Sequence, residues 1–256
     1  MGIIGIITCE IMEMEFAYLL TSDPYVKRIS VLENIKSKRL IEMLETQSEK
    51  YVERIPHIKS FRCEDSHDCE VIVRVMDLAL HRSGKILRKA LESELRELSH
   101  YVDAFLLGYG LCGNSLINTD ELLQSDIPVF IPMDMAHPVD DCIGLFIGGR
   151  HCYQREQFAV PGTFFITPGW SHHWKRIFHE VSHGKSPKII KKMFSNYKRS
   201  LLIVTPVMEE TYMRKNVEDL NKLLGLYSDT CEGTINLLNQ AWQSAIEFLN
   251  SKYRKL

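Results

Sequence analysis

The 256 residues carry no charge surplus, because 31 Lys and Arg stand against 33 Asp and Glu for a net charge of −2. A dedicated nucleic-acid binder normally shows a basic excess, so that class is not expected. No run approaches the roughly 20 apolar residues of a membrane-spanning helix. The opening stretch Gly2 to Thr8 stops at Cys9-Glu10, and no basic segment precedes it as in a secretory signal. GxSxG is missing, as is the full GxxxxGK(S/T), which removes one common hydrolase signature and the phosphate-binding P-loop. Seven cysteines, spread from Cys9 to Cys231 with no CxxC pair, do not make the framework of a small secreted protein. Reduced thiols in a cytoplasm are the expectation.

What is present is an ordinary globular composition, 45% hydrophobic and 25% charged, long enough for one large domain or two small ones. Short apolar runs alternate with longer periodic segments. Gly2 to Thr8 and Val71 to Leu80 read as buried strands, and Gly84 to Leu98 as a helix with one apolar face. Val102 to Leu107, Ile127 to Ile131, Thr163 to Thr167 and Leu201 to Thr205 supply four more strands. A helix is expected after Asp141, another over about Trp174 to Asn196 with a break near His183-Gly184, and mainly helices from Glu209 to Leu256 with a short strand near Leu226 to Cys231. The segment from Pro24 to Pro56 reads as charged and helical with no sheet role, a helical insertion near the N-terminus. The pattern predicts a Rossmann-like α/β fold, a mostly parallel sheet with helices on both faces. A single domain over residues 1–256 is the working architecture, with a two-lobed version as the alternative.

In parallel sheets, ligands bind outside the carboxyl ends of the strands, so the polar residues there are the candidates. Cys9, His81, the segment GYGLCGN from Gly108 to Asn114, and Asp140-Asp141-Cys142 follow four successive strands. Thiolates and an imidazole suit zinc first and an iron–sulfur cluster second. Cys9, His81, Cys112 and Cys142 are therefore the candidate metal ligands, with packing at element ends as the plainer reading of each cysteine. Gly110 and Gly113 flank Cys112 and allow close approach of a cofactor. Trp170 and His172, in PGWSHHW after the fifth strand, are further cofactor-binding candidates, and of the tandem His172-His173 at most one is expected to face a site. Cys63 to Cys69 (CEDSHDC) gathers ligand types in a spacing that matches no familiar zinc pattern. The GxG at Gly108 and Gly110 lacks the third glycine of a dinucleotide fingerprint.

At LLGYGLCGN (Leu106 to Asn114), DDCIGLFIGGR (Asp140 to Arg150) and FFITPGW (Phe164 to Trp170), with Cys9 and His81, the chain resembles domain of unknown function 1638, an uncharacterised family of methanogenic archaea and anaerobic bacteria. The resemblance covers most of the chain, and implies a cytoplasmic protein in the context of corrinoid-dependent methyl transfer, one-carbon metabolism and methanogenesis, with a corrinoid as a further cofactor and a corrinoid protein or methyltransferase as partner. It implies no particular reaction.

Three functions follow as expectations. The first is a metal- or cluster-binding protein of one-carbon metabolism, with three thiolate ligands and His81 as fourth ligand or nearby acid–base group. The second is a non-enzymatic corrinoid or methyltransferase accessory protein contacted through Trp170, His172 and His173. The third is an enzyme with Cys112 as nucleophile and His81 or His172 as base.

Overall fold

A computed structural model of the chain describes residues 2–63, 69–112, 116, 127–182 and 186–253. These residues divide into two compact units, one formed by Met1–Asp141 with Leu238–Leu256 and the other by Cys142–Leu237.

The first unit is built on a sheet opened by β1 (Ile3–Cys9), a run of isoleucines whose backbone alternates between faces that are both covered. A short 3-10 turn leads into α1 (Glu13–Ser22), then β2 (Val26–Leu32), α2 (Lys38–Gln47), β3 (Tyr51–Ile55), β4 (Cys69–Met76), α3 (Gly84–Leu98), β5 (Ala104–Gly108) and the two-residue β6 (Val129–Phe130). A small antiparallel pair, β7 (Met133–Asp134) and β8 (His137–Pro138), follows. The sheet order is β3-β2-β4-β1-β5-β6, and every pairing in it is parallel. Leu87, Leu91, Leu95 and Leu98 give α3 its buried stripe at the spacing of a helical face. The expected Rossmann-like α/β class is the one observed.

The second unit begins with α4 (Cys142–Ile147) and α5 (Arg150–Ala159), and continues through β9 (Thr163–Ile166), α6 (Pro168–Ser182), α7 (Pro187–Met193), β10 (Arg199–Val204), α8 (Glu210–Leu224) and β11 (Tyr227–Glu232). Its three strands are parallel in the order β11-β10-β9. The nearly buried Arg199 ties them at one end, donating to Thr163 and pairing with Glu156 and Asp229, both at 3.2 Å. The final helix, α9 (Asn236–Tyr253), returns to the first unit. There the Trp242 indole donates to Asp23 at 2.6 Å, and the Tyr253 hydroxyl donates to Asp103 at 2.9 Å.

Three expectations change. The parallel strands fall into two sheets instead of one. Residues 24–56 hold two strands around one helix, so they widen the first sheet instead of forming a helical insertion. Charge hid them, because the buried Arg28 in β2 sits in the sheet with Glu53 at 2.6 Å and Glu70 at 3.4 Å as its counter-charges. The second strand of the sequence reading ends at Met76, not Leu80. The Asp77 side chain accepts the Ala79 N–H at 2.8 Å and starts a 3-10 turn over Leu78–Arg82.

On α1, Glu15 is wholly buried and neither of its carboxyl oxygens makes a hydrogen bond. Burial, with the nearby Glu13 charge acting the same way, pushes its pKa up to about 8. The folded chain then holds a proton there that the unfolded chain has lost. Stability from this group is full below the ordinary carboxyl pKa of about 4.3 and falls as pH climbs through about 8. Glu15→Gln is expected to flatten the decline in melting temperature between about pH 5 and 8, and to stabilise the protein at the upper end by on the order of a few kcal/mol. Thermal melts across that range check it, and parallel curves for the two proteins would refute the assignment.

Candidate functional site

The connections of the first sheet decide where a ligand has room. From β1 the chain runs through α1 toward β2, whereas from β5 it runs the opposite way toward β6. Loops that diverge from two neighbouring parallel strands open a crevice at their carboxyl ends. Here those neighbours are β1 and β5, paired through Thr8↔Gly108.

Cys9 closes β1 and is 2% exposed. Tyr109 to Cys112 leave β5, and the backbone of this turn is laced to the segment before α4: Leu111 N–H donates to Val139 and Cys112 N–H to Asp140, both at 2.8 Å. Gly110 permits that approach, since a Cβ there would stand 2.5 Å from the Val139 carbonyl oxygen and 2.8 Å from the Asp141 nitrogen. Cys112 itself has φ +46°, the left-handed region that L residues adopt at a cost of about 1 kcal/mol. Met135 shares this feature in the exposed loop between β7 and β8, but Cys112 does so in the turn after β5. Strain of that kind clusters at functional positions.

From β4, the turn begun by Asp77 carries His81, whose ring stacks on that of Tyr109 with centroids 6.0 Å apart and planes 26° from parallel. The residue is otherwise exposed. Desolvation of the packed face lowers its pKa and the Asp141 carboxylate opposes the change. Glu10, directly after Cys9 and nearly buried, accepts the Leu78 N–H at 2.7 Å and so binds the end of β1 to the turn after β4. Lys36 bridges these two loops, 2.9 Å from Asp77 and 3.7 Å from Glu10.

Burial holds the Cys9 thiol far above the ordinary thiol range, helped by Glu10, Cys112 and Asp77 and opposed by the Ile11 backbone. Burial pushes Cys112 up to about 12, with Asp141 acting the same way and the Gly110 backbone opposing. Both are therefore protonated thiols at neutral pH. As placed, the ligand atoms of Cys9, His81 and Cys112 are not all within 4.8 Å of one another.

Of the residues read from the sequence, Cys9, His81, Gly110 and Cys112 follow β1, β4 and β5 at the carboxyl edge of the first sheet, with His81 in a turn and not at a strand end. Cys142 is the first residue of α4, immediately after Asp141. Gly113 lies outside the described residues. Trp170 and His172 sit in α6 of the second unit, after β9. Trp170 packs edge-on against Phe164 at 4.9 Å and Phe178 at 6.0 Å, within an aromatic cluster. His172 stands edge-on to His173 at 4.8 Å. Cys63 is exposed and Cys69 starts β4 in the core, while the residues between Cys63 and Cys69 lie outside the described set. No cysteine is in a disulfide. The sequence reading passed over Tyr109, Glu10, Asp77 and Lys36. The acids of CEIMEME directly after a buried strand were the signal available for Glu10.

The family described as "Protein of unknown function (DUF1638)" matches residues 75–242, about two thirds of the chain. The chain belongs to this family. The DUF1638 span takes in His81, Tyr109, Gly110, Cys112, Cys142, Trp170 and His172, and Cys9 precedes it. No curated protein and no solved structure matches the chain. Among the described residues of this DUF1638 protein, no helix is long and apolar enough to cross a membrane.

Gly110→Ala is expected to destabilise the fold by roughly 1–3 kcal/mol, since backbone and not a flexible side chain blocks the added methyl. It should also raise the rate at which Cys112 reacts with a thiol reagent. Chemical denaturation and thiol labelling check both effects, and an unchanged rate would mean that the turn is not held by the 139–141 segment.

Proposed function

We propose that this DUF1638 protein is a cytoplasmic metalloprotein. Its metal, zinc in the first place, is held at the carboxyl edge of β1, β4 and β5 by Cys9, Cys112 and His81. The observation that carries this reading is the company of the two thiols: beyond burial, Glu10, Cys112 and Asp77 raise the cost of ionising Cys9, and Asp141 raises that of Cys112. Acidic groups that oppose one another's charge are the setting a bound cation relieves. The donor set, two thiols and an imidazole, fits a borderline cation by type. Raised thiol pKa values weigh against the rival reading of Cys112 as a free nucleophile, because nucleophilic cysteines sit where the thiolate is favoured. An iron–sulfur cluster needs more thiolates than this crevice draws from β1 and β5, so it stands second.

When bound, zinc would supply Lewis acidity and hold sulfur as thiolate, chemistry suited to methyl transfer. A role in corrinoid-dependent one-carbon metabolism, with a corrinoid protein or methyltransferase as partner, is supported by the family resemblance alone. An accessory role contacted through Trp170 and His172 is the weaker alternative, given the packing of Trp170 in its own unit.

Metal analysis of anaerobically purified protein is expected to find about one ion per chain. Cys9→Ser and Cys112→Ser should each reduce the content sharply, since a hydroxyl substitutes poorly for thiolate, whereas Cys63→Ser should leave it unchanged. His81→Ala should weaken binding by about 10-fold or more at neutral pH. No metal in the wild-type protein after exposure to zinc, or an equal loss from Cys63→Ser, would overturn the reading.

A further inference from the structure

Tyr109 is 1% exposed, and its hydroxyl is a buried polar atom with no hydrogen-bond partner. Such an atom carries a desolvation penalty of about 1–3 kcal/mol, so phenylalanine would serve better if packing were all that was needed. Its place in the fold says which group could answer it. The pairing Thr8↔Gly108 makes Cys9 and Tyr109 the next two positions along adjacent parallel strands. Side chains at such positions stand on the same face, about 5 Å apart. The acidic groups whose charge acts on this hydroxyl are Cys9, Cys112, Glu10 and Asp77, and the two carboxylates among them already serve the Lys36 bridge and the turn after β4. What is left beside the phenol is sulfur. A neutral thiol is a poor acceptor, whereas a thiolate is a strong one.

Resting on the metal reading above, we propose that Tyr109 is a positioning residue whose O–H donates to the Cys9 sulfur once a divalent borderline cation has displaced the thiol proton. The cation releases that proton to solvent, the sulfur keeps both electrons of the former S–H bond, and no oxidant or reductant is involved. The hydroxyl is orphaned because its acceptor exists only in the metal-loaded state. His81, stacked on the phenol ring, holds it in place and ties the second loop to the same event.

The test uses the full chain under anaerobic conditions, with cobalt(II) alone as the probe. Wild type and Tyr109→Phe are titrated in competition with a chromophoric chelator, the thiolate-to-cobalt absorption is recorded, and the metal-free melting temperatures are compared. Tyr109→Phe is expected to melt at the same temperature as wild type or higher without metal. It should bind cobalt about 10-fold or more weakly, as loss of a hydrogen bond to a ligand commonly does, with a displaced thiolate band. Equal affinity with an unchanged band would overturn the inference and leave the metal reading standing. A lower metal-free melting temperature would also overturn it, by showing that the hydroxyl has a structural partner. Wild type that takes up cobalt with no thiolate band, or takes up none, would remove the metal reading itself.

Discussion

Strand β1 is hydrogen-bonded along both edges, to β4 from Ile3↔Glu70 through Cys9↔Met76 and to β5 from Ile4↔Ala104 through Thr8↔Gly108. A strand covered on both faces and paired on both sides has no freedom of register, because a slip of one residue would turn every side chain to the other face. That constraint determines what arrives at the carboxyl edge. Cys9 must sit level with Met76 and one step past Thr8, so the turns after β4 and β5 deliver His81 and Tyr109 to either side of it. The glycine at 110 and the left-handed backbone at 112 then let the second turn fold back on the 139–141 segment without disturbing the pairing.

The same sheet contains a buried polar cluster of the opposite kind. Toward the amino ends of β2 and β4, Arg28 meets Glu53 and Glu70, donates to the Arg62 carbonyl at 2.7 Å, and lies over the rings of Tyr51 and Phe61. Charge there is answered by charge, which is how a buried ion group is tolerated in a structural role. At the carboxyl edge the thiols meet acids and the Tyr109 hydroxyl has no hydrogen-bond partner. One sheet thus has an end where buried charges pair with one another and an end where buried thiols stand among acids.

Much of this was legible in the sequence wherever apolar pattern and burial coincide. The isoleucine run of β1, the leucine stripe that gives α3 the span Gly84–Leu98, and the β10 run are read with little error, because core residues reveal their faces. Strands β2 and β3 were not legible. Arg28 and Glu53 look like solvent-facing charges until each is seen as the other's partner. The division into two sheets was hidden for a different reason: local pattern fixes elements and says little about which strands pair at long range. At the site, Cys9, His81, Gly110 and Cys112 could be named from their places after strands. Tyr109 could not, since a tyrosine between two glycines looks like turn filler, and the register that sets it beside Cys9 is a property of the sheet.

The protonated state of the thiols also bears on which cation such a crevice would accept. A hard ion such as magnesium or calcium seeks carboxylate oxygens, and Glu10 and Asp77 are already engaged by Lys36 and by backbone N–H groups. To bind there it would have to displace an ammonium ion from its partners and would gain little from sulfur. A thiophilic ion meets the opposite balance, because it must displace protons from Cys9 and Cys112 but forms the stronger bonds to sulfur that repay the work. The acidic surroundings that make the free thiolates unfavourable therefore act as a filter under the proposed reading. They keep the metal-free thiols in their less oxidisable protonated form, and yield them only to a cation whose affinity for sulfur exceeds the proton's.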